Sequence, residues 1–280
     1  MKNSNHKHIK KAYDDKSFLH SRGGRILRIA SEYLYPEQQL KKMGIKRTVI
    51  FFGSARISSP EIVQKKIDKL LKKSNTLLDE EKNTTDIELR RLNKQLELSV
   101  YYSDAQKIAY ELTKWSQMQP KSEQIHIGSG GGPGIMEAAN RGANEAGGMT
   151  IGLNISLPFE QESNPYIHPD LNFEFHYFFM RKFWFVYLSQ VMIVFPGGFG
   201  TIDEMMEIMT LKQTKKMRKP RLIILYSENW WKNVINFDFL VENEVISKSD
   251  LELFRFVNTP EEVIELTIND LKVNKIKNRF

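Results

Sequence analysis

Cysteine is absent from all 280 residues. That excludes disulfides, thiolate metal sites and a cysteine nucleophile. No run of about 18 apolar residues is present, the length that a bilayer requires, and "MKNSNHKHIKK" lacks the apolar core of a signal peptide. The expectation is a cytoplasmic protein with no membrane association. The six histidines show no metal-ligand spacing, and Ser54 and Ser129 sit in no G-x-S-x-G elbow. Nor does a G-x-x-x-x-G-K-[ST] phosphate loop occur. No metal site is expected.

What is present suits one sizeable globular domain with extensions: 41% apolar residues, 11% aromatic, 16 Gly and 10 Pro. The formal net charge of +7 is unevenly spread. Residues 1–47 hold 12 Lys and Arg against 4 Asp and Glu, whereas the remaining 233 residues hold 29 against 30. A near-neutral body argues against a nucleic-acid partner, and the basic segment reads as a solvated extension. Residues 273–280 read as a short basic tail.

Residues 48–272 read as a single domain. "RTVIFFGSARI" is a short apolar run ending in Gly-Ser, as in a buried parallel strand. From about 61 to 100 the chain is charged, with Ile67, Leu70, Leu71, Leu89, Leu92 and Leu96 at helical spacing. This predicts an inserted helical hairpin, broken near "EEKNTTD". Beyond it, strands alternate with helices: "QIHIGS", "MTIGLNI", "NFEFHYFF", "VMIVF" and "PRLIILY" are extended, while "SDAQKIAYELTKWSQ", "IMEAANRGANEAGG", "MRKFWFVYLSQ", "TIDEMMEIMTLKQTKK", "NWWKNVINFDFL" and "PEEVIELTINDLK" are helical. The expected class is α/β, a Rossmann-like doubly wound, mostly parallel sheet with helices on both faces.

Ligands of such sheets bind beyond the carboxyl ends of the strands. Four segments occupy that edge: Gly53-Ser54, the turn containing Gly130, Gly131 and Gly132, the pair Arg181-Lys182, and "PGGFGTIDE" with Gly197, Gly198, Gly200, Thr201 and Glu204. Each glycine-rich turn follows a strand and opens a helix, where free N–H groups and the positive dipole end receive anions. Gly130-x-Gly132-x-Gly134 matches the dinucleotide fingerprint poorly, and no ribose-binding acid follows at the usual spacing. Two readings of T-x-x-E stay open. Thr201 and Glu204 could form a capping box, or could face an anionic ligand. Arg181 and Lys182 near a helix start oppose the dipole, a conflict that an anionic ligand would resolve.

"PGGFGTIDE" fits PGGxGTxxE. Together with the upstream "RK", "FFGSAR", "GSGGGPGIMEAANRGANEAGG", "LPFEQESNPY" and "TLKQT", it resembles the Lonely Guy family over about 48–268, apart from the charged insert. Members are nucleoside 5′-monophosphate phosphoribohydrolases, many long labelled lysine decarboxylases. The resemblance is to the longer bacterial members. It implies Arg181 and Glu204 as the catalytic pair, and Gly197, Gly198, Gly200 and Thr201 as the phosphate cradle. It also implies substrate contacts from Lys182, Thr210 and the segment around Glu160, with Gly53, Ser54 and Gly130–Gly132 beside them. The expected reaction releases a free base and ribose 5-phosphate from AMP or a related nucleotide, cytokinin riboside monophosphates included. No metal or organic cofactor is expected, and a homodimer or higher oligomer is. Three rivals are a non-catalytic nucleotide sensor, a pyridoxal-phosphate decarboxylase, for which nothing singles out a Schiff-base lysine, and a dinucleotide oxidoreductase.

Overall fold

Short β-branched and aromatic runs alternate with amphipathic segments, and the computed structural model, which describes residues 10–74, 79–157, 162–217 and 221–274, pairs those runs into one sheet. The strands are β1 (Thr48–Phe52), β2 (His126–Ser129), β3 (Thr150–Ile155), β4 (Asn172–Phe175), β5 (Ser189–Val194), β6 (Leu222–Tyr226) and β7 (Arg255–Val257). Every pairing is parallel, in the order β4-β3-β2-β1-β5-β6-β7. The helices are α1 (Lys16–His20), α2 (Arg25–Lys42), α3 (Pro60–Ser74), α4 (Asp79–Leu98), α5 (Val100–Gln117), α6 (Ile135–Glu145), α7 (Phe178–Leu188), α8 (Phe199–Gln213), α9 (Glu228–Val234), α10 (Phe237–Glu242) and α11 (Pro260–Val273).

Alternate residues of each strand feed two cores. Ile50 and Phe52 of β1, with Met192 and Val194 of β5, pack on the face that holds Trp184 and Phe185 of α7, Met205 of α8 and Trp231 of α9. Val49, Phe51, Val191 and Ile193 point the other way, onto Ile108 of α5, Ala139 of α6 and Val263 of α11. Both faces are covered, which is why the strands read as continuous apolar runs. The chain belongs to the doubly wound, Rossmann-like α/β class.

Several local expectations shift. The hairpin break does not fall near "EEKNTTD", because α4 begins at Asp79 and runs through that stretch. A small cluster of Val63, Ile67 and Leu92 holds α3 against α4. "NFEFHYFF" is extended only to Phe175, and "NWWKNVINFDFL" divides into α9 and α10. β7 carried no sequence signal: it is three residues long and pairs only with β6. The basic N-terminal segment is not simply solvated. α2 lies against α7, and Leu40 and Ile45 are buried in the first core. Among the described residues, no helix is long and apolar enough to cross a membrane.

Candidate active site

The strand order reverses at β1. β2 leaves on one side and β5 lies on the other, so the cleft at their carboxyl ends is where such sheets take ligands. Gly53 and Ser54 continue β1 into that cleft. Ser54 N–H donates to the Pro196 carbonyl at 3.0 Å, and its own carbonyl accepts from Ile135 N–H at 3.1 Å. Ser54 therefore ties the two glycine-rich turns together through its backbone.

The turn after β2 is pinned by a buried amide network. Ser129 Oγ donates to Asn140 Oδ1 at 2.6 Å and accepts from Gly131 N–H at 3.1 Å. Asn164 Nδ2 reaches the carbonyls of Gly131 and Gly132 at 3.0 and 3.1 Å. Gly131 takes φ +77°, and a Cβ there would collide with Asn154. A Cβ on Gly130 would collide with the Arg181 guanidinium and the Met136 sulfur. Gly130 and Gly131 thus make room for the protein's own side chains. Asn140 and Asn164 were missed in the sequence; the one visible signal was an asparagine on the otherwise small and apolar face of α6.

The second turn is different. A Cβ on Gly197 would meet the Thr201 side chain, but around Gly198 and Gly200 nothing lies within 4 Å. The N-cap of α8 is Gly198, which has no side chain to cap with. Thr201 is therefore the third helical residue and Glu204 the sixth, so the capping-box reading is corrected. The N–H groups of Gly198, Phe199 and Gly200 take no acceptor among the described residues, as expected of an uncapped first turn. Thr201 is buried, and its hydroxyl likewise has no partner among them. This helix end is open to an anion.

Glu204 stands one turn below, 5% exposed. Burial pushes its carboxyl up to about 7, against the pull of the Lys182 and Arg181 charges, with Glu207 and Asp203 adding to the rise. Lys182 does not face a vacancy. Its ammonium lies 2.8 Å from Asp203, 3.0 Å from Glu207 and 3.7 Å from Glu204. Burial draws it down, but the bonds to Asp203 and Glu207 outweigh that and leave it raised. The dipole conflict at Lys182 is thus resolved by carboxylates of α8. Arg181 has no carboxylate within 4.0 Å among the described residues. Its Nε donates to the Leu153 carbonyl at 2.8 Å, and its guanidinium sits 4.9 Å from the Phe185 ring centroid. Burial lowers its pKa and the Glu204 charge opposes this. Arg181 is therefore the cation still available to a ligand.

Thr210 lies nine positions beyond Thr201, about 14 Å along α8 at 1.5 Å per residue, and its hydroxyl donates to the Met206 carbonyl. Glu160 lies outside the described residues. Among the described residues, no group of three or more His, Cys, Asp or Glu is placed to hold a metal ion.

Residues 136–267 match the family model described as "Possible lysine decarboxylase". That segment is similar to this family and makes up a little under half of the chain. A stretch of 78 residues is 32% identical to the probable cytokinin riboside 5′-monophosphate phosphoribohydrolase LOGL6 of Oryza sativa subsp. japonica, covering 28% of this chain. The match spans about a third of that relative's length, 31%. Among solved structures, an X-ray structure from the Northeast Structural Genomics Consortium aligns with 80% of this chain and 99% of its own, at 18% identity and TM-score 0.45. The molybdenum cofactor binding protein of Rippkaea orientalis aligns with 80% of this chain and 96% of its own, at 18% identity and TM-score 0.42. The matched segment starts just after the first glycine-rich turn and includes Arg181, the second turn and Glu204.

Proposed function

We propose that the protein hydrolyses the N-glycosidic bond of a nucleoside 5′-monophosphate, AMP or a related purine nucleotide including a cytokinin riboside monophosphate, giving free base and ribose 5-phosphate. The observation that carries this is the buried Glu204 one turn below an uncapped helix end, near Arg181, which has no carboxylate partner among the described residues. In this reading the phosphate sits on the N–H groups of Gly198, Phe199 and Gly200 and on the Thr201 hydroxyl, where the helix dipole adds to the attraction. Cleavage builds positive charge on the ribose ring. The Glu204 carboxylate stabilises that charge and takes a proton from the attacking water, whose oxygen bonds to C1′ as the C1′–N bond breaks. Arg181 steadies the departing base as it takes up the bonding electrons. Binding energy from the remote phosphate holds the bond in place for cleavage.

The reading includes a second copy of the chain. Ile29, Tyr33 and Leu34 of α2 with Phe179, Met180 and Phe183 of α7 line an apolar groove of about 480 Å³. Around it Ile26, Leu27, Tyr35 and Phe178 are each about half exposed or more. With Leu34, Phe179 and Phe183 of the groove itself, also exposed, they form an apolar face of the kind that a partner covers. Light scattering on the purified protein should show a dimer, and Phe179→Glu with Leu34→Glu should yield a monomer; a wild-type monomer at micromolar concentration refutes it.

The deciding assay compares AMP with adenosine by chromatography of released adenine. Two charge-assisted hydrogen bonds at about 1.5–3 kcal/mol each imply a preference of roughly 100-fold or more in kcat/KM. Equal rates would mean that the glycines merely turn the chain. Tight AMP binding with no released base would favour a sensor.

A further inference from the structure

α7 carries Arg181 but begins without a cap of its own. Its N-cap residue is Tyr177, which makes no side-chain cap bond. The missing acceptor comes from far away in the chain. Glu32, on α2, accepts from His176 N–H through Oε1 at 2.9 Å and from Tyr177 N–H through Oε2 at 3.3 Å. One residue thus satisfies two consecutive backbone donors, and its negative charge lies at the positive end of the α7 dipole. The same position grips α7 a second time, because the Glu32 carbonyl accepts from Trp184 Nε1 at 2.9 Å. Trp184 is fully buried. Beside this grip the Arg25 guanidinium lies 5.7 Å from the Tyr177 ring centroid, and Tyr33 packs on Phe183 and Trp184.

Arg181 sits one turn into the helix that this carboxylate starts. Its backbone N–H bonds to the Tyr177 carbonyl at 3.2 Å, so the residue whose N–H Glu32 holds is also the one that accepts from Arg181. On the other side, the guanidinium is bounded by Gly130 and by its bond to the Leu153 carbonyl. Arg181 is thus held on its sheet side by the Leu153 carbonyl, and the start of the helix that carries it is held by Glu32. We infer that Glu32, in the basic N-terminal segment outside the matched segment, is a positioning residue that sets Arg181 for the reaction. This rests on the proposed hydrolysis, in which Arg181 acts at the departing base. A misplacement of about 1 Å at such a centre costs on the order of 100-fold in rate.

The test uses the full-length protein with Glu32→Ala and Glu32→Gln. For Ala, kcat for AMP should fall by about 30- to 100-fold with KM changed less than about threefold, since the phosphate cradle is on α8. Gln keeps one carbonyl acceptor and should recover at least about tenfold of the loss. A purely structural role would lower the folded fraction and leave kcat per folded molecule and the Ala-to-Gln order unchanged. Hydrogen exchange over residues 174–182 supplies a readout independent of turnover, and it should quicken in the Ala variant. Wild-type kcat in Glu32→Ala overturns the inference, and so does unchanged exchange over that segment. If the wild type releases no base from any nucleoside monophosphate, the hydrolysis reading fails, and with it the role assigned to Glu32 in catalysis; the exchange result then still decides whether Glu32 holds α7.

Discussion

Glu204→Gln should make the protein more stable while destroying its activity. Burial holds the Glu204 carboxyl at about 7 instead of its ordinary 4.5. Between those two values the native state keeps a proton that the unfolded chain has released, so stability falls as pH rises across the window. Above pH 7 the native state carries a charge that it accommodates poorly, and the cost levels off at about 3 kcal/mol, from 1.36 kcal/mol per pH unit. Gln removes that cost. It leaves Lys182 with Asp203 at 2.8 Å and Glu207 at 3.0 Å, so Lys182 keeps its two nearest partners. The melting temperature of Glu204→Gln relative to wild type should therefore rise from near zero at pH 4.5 to roughly 6 °C at pH 8, at about 2 °C per kcal/mol for a chain of this size. At pH 8, where the wild-type carboxyl is ionised, kcat for AMP should be at least about 100-fold lower, the usual loss when a general base is removed. Paired thermal melts and adenine release at five pH values would suffice. A variant less stable than wild type at pH 8, or a difference that does not change with pH, would refute the argument that burial of this charge is tolerated for function.

If the Glu204 carboxylate is the base, kcat should rise with pH through about 7, and Lys182→Met, which removes a cation that pulls Glu204 down, should move that limb up by about one unit in a pH–rate profile. Arg181→Ala should fold normally but lose most turnover, and Arg181→Lys should rescue it poorly, because a point charge lacks the planar fork; full activity in the Lys variant would show that charge alone matters. Gly198→Ala should fold as wild type, since a Cβ there would meet nothing within 4 Å beyond its chain neighbours and its φ of −98° lies outside the left-handed region, yet raise KM for AMP about tenfold by crowding the phosphate. Gly197→Ala should instead lower the melting temperature, because its Cβ displaces Thr201, and similar melts for the two variants would contradict this division of roles.

By itself, the sequence determined the class of fold and the edge on which to look. Apolar runs buried on both faces, separated by amphipathic segments, have no stable arrangement other than a covered parallel sheet. Glycine-rich turns between strand and helix can lie only at the carboxyl edge of such a sheet. "PGGFGTIDE" showed where a helix begins, but its spacing could not separate a cap from a ligand-facing turn. That depended on where the backbone first turns helical, two residues before Thr201, a matter of packing after β5 and not of local preference. Tertiary structure alone decided which cation is free, since Lys182 and Arg181 are adjacent in sequence and differ only in what α8 and β3 bring to them. It also decided which glycines make room for protein and which for something else. Most of all it decided the environment of Glu204: a carboxylate in a sequence carries its ordinary pKa, and only the helices and strands closing over it can take the water away.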